Sequence, residues 1–164
     1  MANAKTTLQS LGLRARKNLG QNFMTRQSDL RFIADALEVR AGETILEIGP
    51  GLGALTAVLL EKGSNVLAVE KDRSLAEILQ KKFSGRPLHV LSRDILEFDP
   101  ARELLFKGPA VVAGNIPYNI TSPILFWLIK HRRVFRRAVL TMQKEVAERL
   151  TGKPGTKIWG ALSV

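Results

Sequence analysis

Residues 44–53, Thr44-Ile45-Leu46-Glu47-Ile48-Gly49-Pro50-Gly51-Leu52-Gly53, run a short β-branched segment into three glycines spaced two apart. A run of this length and composition predicts a buried strand. The glycines then let the backbone turn tightly and let a ligand come close where a Cβ would collide, and a following helix offers free N–H groups to it. Positions 49, 51 and 54 also fit G-x-G-x-x-G/A, so the loop by itself leaves NAD and other adenosine cofactors open.

Outward from this loop, strands and helices alternate. Leu30, Ile33, Ala34 and Leu37 recur at helical spacing, with Ser28 or Asp29 as cap and an end near Arg40-Ala41-Gly42. Beyond the Thr44–Ile48 strand, the pattern predicts a helix over Leu52–Lys62 ended by Gly63 and a strand over Asn65–Val69. A helix over Ser74–Phe83, closed by Ser84-Gly85-Arg86-Pro87, leads to strands at Leu88–Leu91 and Ala110–Ala113. Ser122-Pro123 is a cap followed by proline at the first helical position, opening a helix through Leu125, Leu128 and Ile129. A strand at Ala138–Met142 and a helix at Lys144–Leu150 follow. Such alternation predicts an α/β fold, with a mostly parallel sheet flanked by helices. Ligands bind such sheets beyond the carboxyl ends of the strands.

Three further strand ends carry polar residues. Glu70 lies 21 residues after Gly49, where a carboxylate accepts hydrogen bonds from ribose hydroxyls. Asp94 follows the third strand and could accept an exocyclic adenine N–H or cap a turn. The fourth strand ends in Asn115-Ile116-Pro117-Tyr118, for which hydride transfer has no use. Methyl transfer to an amine does. The exocyclic nitrogen of adenine is a poor nucleophile because its lone pair is delocalised, and acceptors that take its N–H groups draw it toward a pyramidal shape. Asn115 Oδ1 and the Ile116 carbonyl are suited to that, Pro117 stiffens the segment, and Tyr118 offers a flat face for an unstacked base.

Charge and composition narrow the partners. The 164 residues hold 25 Lys and Arg against 15 Asp and Glu, a net charge of +10. The excess gathers at Arg14, Arg16 and Lys17 and again from Lys130 through Arg132, Arg133, Arg136 and Arg137, which implies a polyanion such as RNA. With no cysteine and two histidines there is no thiolate site and no zinc cluster, and no metal is expected. No apolar run is long enough for a signal peptide or a membrane span, so a cytoplasmic protein is expected.

Together these motifs resemble the ribosomal RNA adenine N6-dimethyltransferase family, which uses S-adenosylmethionine. The resemblance covers nearly the whole chain. It includes Lys17-Asn18-Leu19-Gly20-Gln21-Asn22-Phe23-Met24, the glycine loop, Glu70, Asp94-Ile95-Leu96, Asn115-Ile116-Pro117-Tyr118 and Gln143-Lys144-Glu145-Val146-Ala147. It implies a Rossmann-like methyltransferase fold over residues 26–164, preceded by a basic arm at 1–25. By the resemblance, Gln21, Asn22 and Met24 close over the methionine end of the cofactor, with Met24 standing where leucine is usual. Gly49 and Gly51 pass beneath the cofactor, Glu70 holds its ribose, Asp94 its adenine, and Asn115 lies between cofactor and target. S-adenosylhomocysteine is the implied product, and small-subunit (16S) ribosomal RNA or a pre-ribosomal particle the implied partner of a monomer that dimethylates two adjacent adenosines. Family members continue with further strands and a small helical domain, so the chain reads as a truncated form. Two alternatives share the motifs: a large-subunit methyltransferase of the macrolide-resistance type, and a non-catalytic RNA-binding or ribosome-assembly module.

Overall fold

The computed structural model describes residues 24–40, 43–103, 110–156 and 163. Helix α1 (Gln27–Ala36) precedes β1 (Thr44–Ile48), α2 (Ala54–Glu61), β2 (Asn65–Glu70), α3 (Arg73–Lys82) and β3 (Leu88–Ser92). A 3-10 turn at Ile95–Glu97 and the short α4 (Pro100–Glu103) lead to β4 (Ala110–Asn115). A second 3-10 turn (Tyr118–Ile120) runs into α5 (Thr121–Lys130), followed by β5 (Phe135–Thr141) and α6 (Lys144–Leu150).

The five strands form one parallel sheet in the order β3-β2-β1-β4-β5, as the alternation predicts. β1 lies at the centre and is buried along its whole length. Pleating sends alternate side chains to opposite faces, which splits the core in two. On one face Ile45, Val66, Ala68, Val111 and Ala113 pack against Leu30, Ile33, Leu55, Leu59 and Leu79 of α1, α2 and α3, and against Leu37 just past α1. On the other, Leu46, Ile48, Leu67, Val69 and Val112 meet Ile95, Phe98, Ile116, Ile124 and Trp127. The buried Trp127 indole is satisfied by donating to the Phe98 carbonyl at 3.0 Å.

Several boundaries differ from the sequence expectation, each for a local reason. α1 starts at Gln27 on the Arg26 carbonyl, so neither Ser28 nor Asp29 is its cap. It ends at Ala36 because the chain reverses at Glu38, which takes a left-handed φ of 46°. α2 starts at Ala54, since residues up to Gly53 are taken by the loop. Ser122 does not cap α5; Thr121 opens that helix and its hydroxyl donates to the Pro117 carbonyl at 3.1 Å. β5 begins at Phe135, three residues early, which places Arg136 and Arg137 inside a strand.

That placement changes the role open to the two arginines. Arg136 donates to both carboxylate oxygens of Glu43, at 2.6 and 2.8 Å, and to the Glu38 carbonyl at 2.8 Å. Arg137 donates to the Ala36 carbonyl at 2.9 Å and pairs with the Glu38 carboxylate at 2.6 Å. Together they tie the start of β5 to the α1–β1 connection and hold the strained Glu38 turn. Hydrogen bonds from Arg136, joined by the Arg40 N–H, hold the Glu43 carboxyl down at about 2.

Candidate functional site

In the order β3-β2-β1-β4-β5, the chain leaves β3 at one edge and enters β4 on the far side of β1, which makes the β1/β4 boundary the switch point where α/β sheets bind ligands. Ile48 is level with Val69 on one side and with Gly114 on the other. The next residues along, Gly49, Glu70 and Asn115, therefore emerge side by side. Asp94 leaves β3 beyond Ser92, the residue level with Glu70. The row Asp94, Glu70, Gly49, Asn115 crosses three interstrand steps, roughly 15 Å.

The glycines of the loop differ in their surroundings. Gly49 has φ 62°, and a Cβ built there would meet nothing within 4 Å, so open space lies above it. Gly53, at φ 76°, serves packing instead, because a Cβ there would run into the side chains of Leu79 and Phe83. Lys82 anchors the loop from α3 by donating to the Leu52 carbonyl at 2.8 Å.

Glu70 is 6% exposed and accepts from the Gly51 N–H at 3.0 Å and the Asp72 N–H at 2.9 Å. Burial pushes its carboxyl up, and those backbone donors partly offset the rise. One carboxylate thus links the loop after β1 to the end of β2, with acceptor capacity remaining on each oxygen. Asp94 accepts from the Leu96 N–H at 3.0 Å and pairs with Lys71 Nζ at 2.7 Å. Burial raises its carboxyl, but the Lys71 ammonium and the Leu96 N–H outweigh that and hold it below the usual range. Both the cap and the acceptor roles open to Asp94 are compatible with this geometry.

Beneath the loop, Glu47 is fully enclosed and accepts from the Thr56 hydroxyl at 2.7 Å. Burial pushes its carboxyl up to about 7; the Thr56 hydrogen bond opposes the rise and the nearby Glu70 charge adds to it. On the β4 side, Asn115 is level with Thr141, the last residue of β5. The Thr141 hydroxyl donates to Asn115 Oδ1 at 2.7 Å, and the Ile116 N–H donates to the Thr141 carbonyl at 3.0 Å. Ile116 buries its side chain in the second core, Pro117 holds φ −59° and ψ 140°, and the backbone of Tyr118 opens the 3-10 turn.

The structure thus brings Gly49, Gly51, Glu70, Asp94, Asn115, Ile116 and Pro117 to one end of the sheet, with the Tyr118 backbone. Met24 packs, half-buried, against the core of α1 and α2. Gln21, Asn22, Arg14, Arg16 and Lys17 lie outside the described residues. Arg132 and Arg133 are exposed in the turn after α5, away from this row. Thr141, Glu47 with Thr56, and the two lysines Lys71 and Lys82 show no role in the sequence alone. Only the position of Thr141 two residues before Gln143 could have drawn attention to it.

A family model described as ribosomal RNA adenine dimethylase matches residues 12–164. A protein named ribosomal RNA small subunit methyltransferase A from Geobacter sulfurreducens is 49% identical over 156 residues, 93% of this chain and 56% of that protein. A protein of the same name from Myxococcus xanthus is 43% identical over 164 residues, all of this chain and 57% of its own length. Among solved structures, a dimethyladenosine transferase from Plasmodium falciparum superposes with TM-score 0.73 at 32% identity, covering 87% of this chain and 51% of that one. The 23S rRNA methyltransferase ErmE superposes with TM-score 0.70 at 34% identity, covering 82% and 53%. The chain spans about half the length of these relatives. With the sheet order, the glycine loop and the polar strand ends all in agreement with a match that runs from residue 12 to the last residue, the chain belongs to the ribosomal RNA adenine dimethylase family.

Proposed function

We propose that this chain carries the methyl-transfer core of an enzyme that dimethylates N6 of two adjacent adenosines in small-subunit ribosomal RNA, with S-adenosylmethionine as donor. The row Asp94, Glu70, Gly49, Asn115 across the switch point carries this reading. Its residues fit the cofactor: open space above Gly49 leaves room for an extended ligand, Glu70 has acceptor capacity for ribose hydroxyls, and Asp94 can take an adenine N–H. Gln21, Asn22 and Met24 are proposed to close the methionine end. When bound, the cofactor supplies a methyl group already activated by positively charged sulfur and leaves as S-adenosylhomocysteine.

The chain's own work is positioning. Thr141 donates to Asn115 Oδ1 and orients the amide, and that oxygen is proposed to accept an N–H of the target amine. With the Ile116 carbonyl as second acceptor, nitrogen is drawn toward the pyramidal shape that exposes its lone pair. Pro117 keeps these acceptors in place, and the Tyr118 ring is proposed to stack on the extruded base. No protein nucleophile is required. Arg132 and Arg133, with Arg14, Arg16 and Lys17, are proposed to contact phosphates, whereas Arg136 and Arg137 serve the fold through their carboxylate and carbonyl partners. No helix among the described residues is long and apolar enough to cross a membrane. In this reading the protein acts in the cytoplasm on pre-ribosomal particles.

The likeness to ErmE supports a second reading, a large-subunit target. Incubation with methyl-labelled S-adenosylmethionine and separate unmethylated small- and large-subunit particles tests both. Label recovered as N6,N6-dimethyladenosine from small-subunit RNA is expected. Label only in large-subunit RNA selects the second reading, and cofactor binding without transfer to either overturns both.

A further inference from the structure

Helix α5 has an exposed side that is not polar. Ile124 and Trp127 are buried against the sheet, but Phe126 is 52% and Ile129 57% exposed. Pro123, Phe126, Ile129 and Lys130 are all exposed and recur three or four residues apart, so they line one stripe of α5, and Arg133 is exposed in the turn beyond it. Large apolar side chains gathered on an exposed stripe point to a binding surface.

The charge around this stripe is one-sided. No Asp or Glu occurs between Glu103 and Glu145. Arg136 and Arg137 find carboxylates only by reaching back to Glu43 and Glu38. Lys130, Arg132 and Arg133 have no carboxylate partner among the described residues. The basic cluster therefore divides into two arginines neutralised within the fold and three cations left for an external anion.

Placement adds direction. α5 starts where the Asn115–Tyr118 turn ends, and Thr121 fastens it to the Pro117 carbonyl. Its ten residues extend about 15 Å, so the stripe leads from the target turn to the three cations.

We infer that the outer stripe of α5 is a track for the RNA strand whose adenosine enters the site, a refinement that rests on the proposed function. Phe126 presents its ring to a base flanking the extruded one, Ile129 packs beside it, and Lys130, Arg132 and Arg133 neutralise the phosphates that follow. A single RNA strand supplies both kinds of group this stripe needs, a π-face for the aromatic and anions for the cations. Sequence-independent stacking also suits a surface outside the pocket, where the base reading is done by Asn115 and its neighbours.

The test measures binding of an end-labelled, single-stranded RNA with two adjacent adenosines by fluorescence anisotropy across a salt series. The intact chain is compared with Phe126→Ala, Arg133→Gln and Arg132→Gln, and S-adenosylmethionine affinity is measured in parallel. Phe126→Ala is expected to weaken RNA binding about tenfold, the effect of one lost base stack. Each arginine replacement is expected to lower the slope of log affinity against log salt by about one. Cofactor affinity should stay unchanged in all three. RNA affinity and salt slope equal to the intact chain's in every variant would overturn the track and leave the proposed function standing. An intact chain that binds cofactor but not this RNA would overturn the track together with the RNA-methylation reading. Loss of self-association on Phe126→Ala, with RNA binding unchanged, would assign the stripe to a second copy of the chain instead.

Discussion

The hydroxyl of Thr141, at the end of β5, donates to Oδ1 of Asn115, at the end of β4, across 2.7 Å. This bond orients the amide of Asn115 and so, in the proposed reaction, sets whether its oxygen accepts from the target amine. Thr141→Val keeps the shape and removes the donor. Turnover is expected to fall about tenfold, the worth of one directed hydrogen bond, with cofactor affinity unchanged and Thr141→Ser restoring the rate. Asn115→Ala should cost roughly a hundredfold or more, as for other donors or acceptors aimed at the reacting group. Single-turnover methyl transfer measures both.

Gly49 faces open space, whereas Gly53 is packed against side chains. Gly49→Ala places its methyl in open space and pays only for a left-handed φ, about 1–2 kcal/mol. It should stay folded and lose cofactor affinity. Gly53→Ala drives a methyl into Leu79 and Phe83 as well, so it should lower the melting temperature more. Thermal unfolding with and without S-adenosylmethionine distinguishes them.

Glu47 sets a pH dependence. Its folded value of about 7 lies above the ordinary 4.5, so the folded chain keeps a proton that the unfolded chain releases in between. Stability therefore falls as pH rises from 4.5 to 7 and is lowest, for this group, above that window. Glu47→Gln preserves the acceptor for Thr56 without the charge. It should stabilise by up to about 3 kcal/mol at pH 8 and by nothing near pH 4.5, as denaturant titrations at the two pH values will show.

The Arg136–Glu43 pair has the opposite sign. A carboxyl held at about 2 against an ordinary 4.5 contributes stability above 4.5 and loses it as pH falls toward 2. Arg136→Ser is expected to lower the melting temperature at neutral pH, by an amount that shrinks on acidification. RNA affinity should not change. A salt-dependent loss of RNA binding in this variant would instead return Arg136 to the nucleic-acid surface.

Local signals carried most of the architecture. The strand at Thr44–Ile48, the glycines after it and the carboxylate at the end of β2 could be read because each follows a local pattern or a fixed spacing, Glu70 lying 21 residues after Gly49. Contacts between distant segments could not be. Arg136 and Arg137 look like free cations in sequence because Glu43 and Glu38 are about a hundred residues away. Thr141 becomes meaningful only through the register that sets it level with Asn115. Ser122 and Pro123 imitate a helix start, yet Thr121 opens the helix, because its bond to Pro117 continues a 3-10 turn that propensity does not reveal.

The sheet order also dictates a sequence of assembly. Thr44 pairs with Asn65, a short loop to close, whereas Ile45 must wait for Val111, about three times as far along the chain. Loop closure grows costlier and slower with separation, so β1, β2 and β3 are expected to zip together with α2 and α3 first. Synthesis from the N-terminus also completes this half before Asn115 is added. The nascent chain would then acquire its glycine loop and Glu70 ahead of the strand that bears Asn115, with β4 docking along the free side of β1 and β5 joining β4 after it.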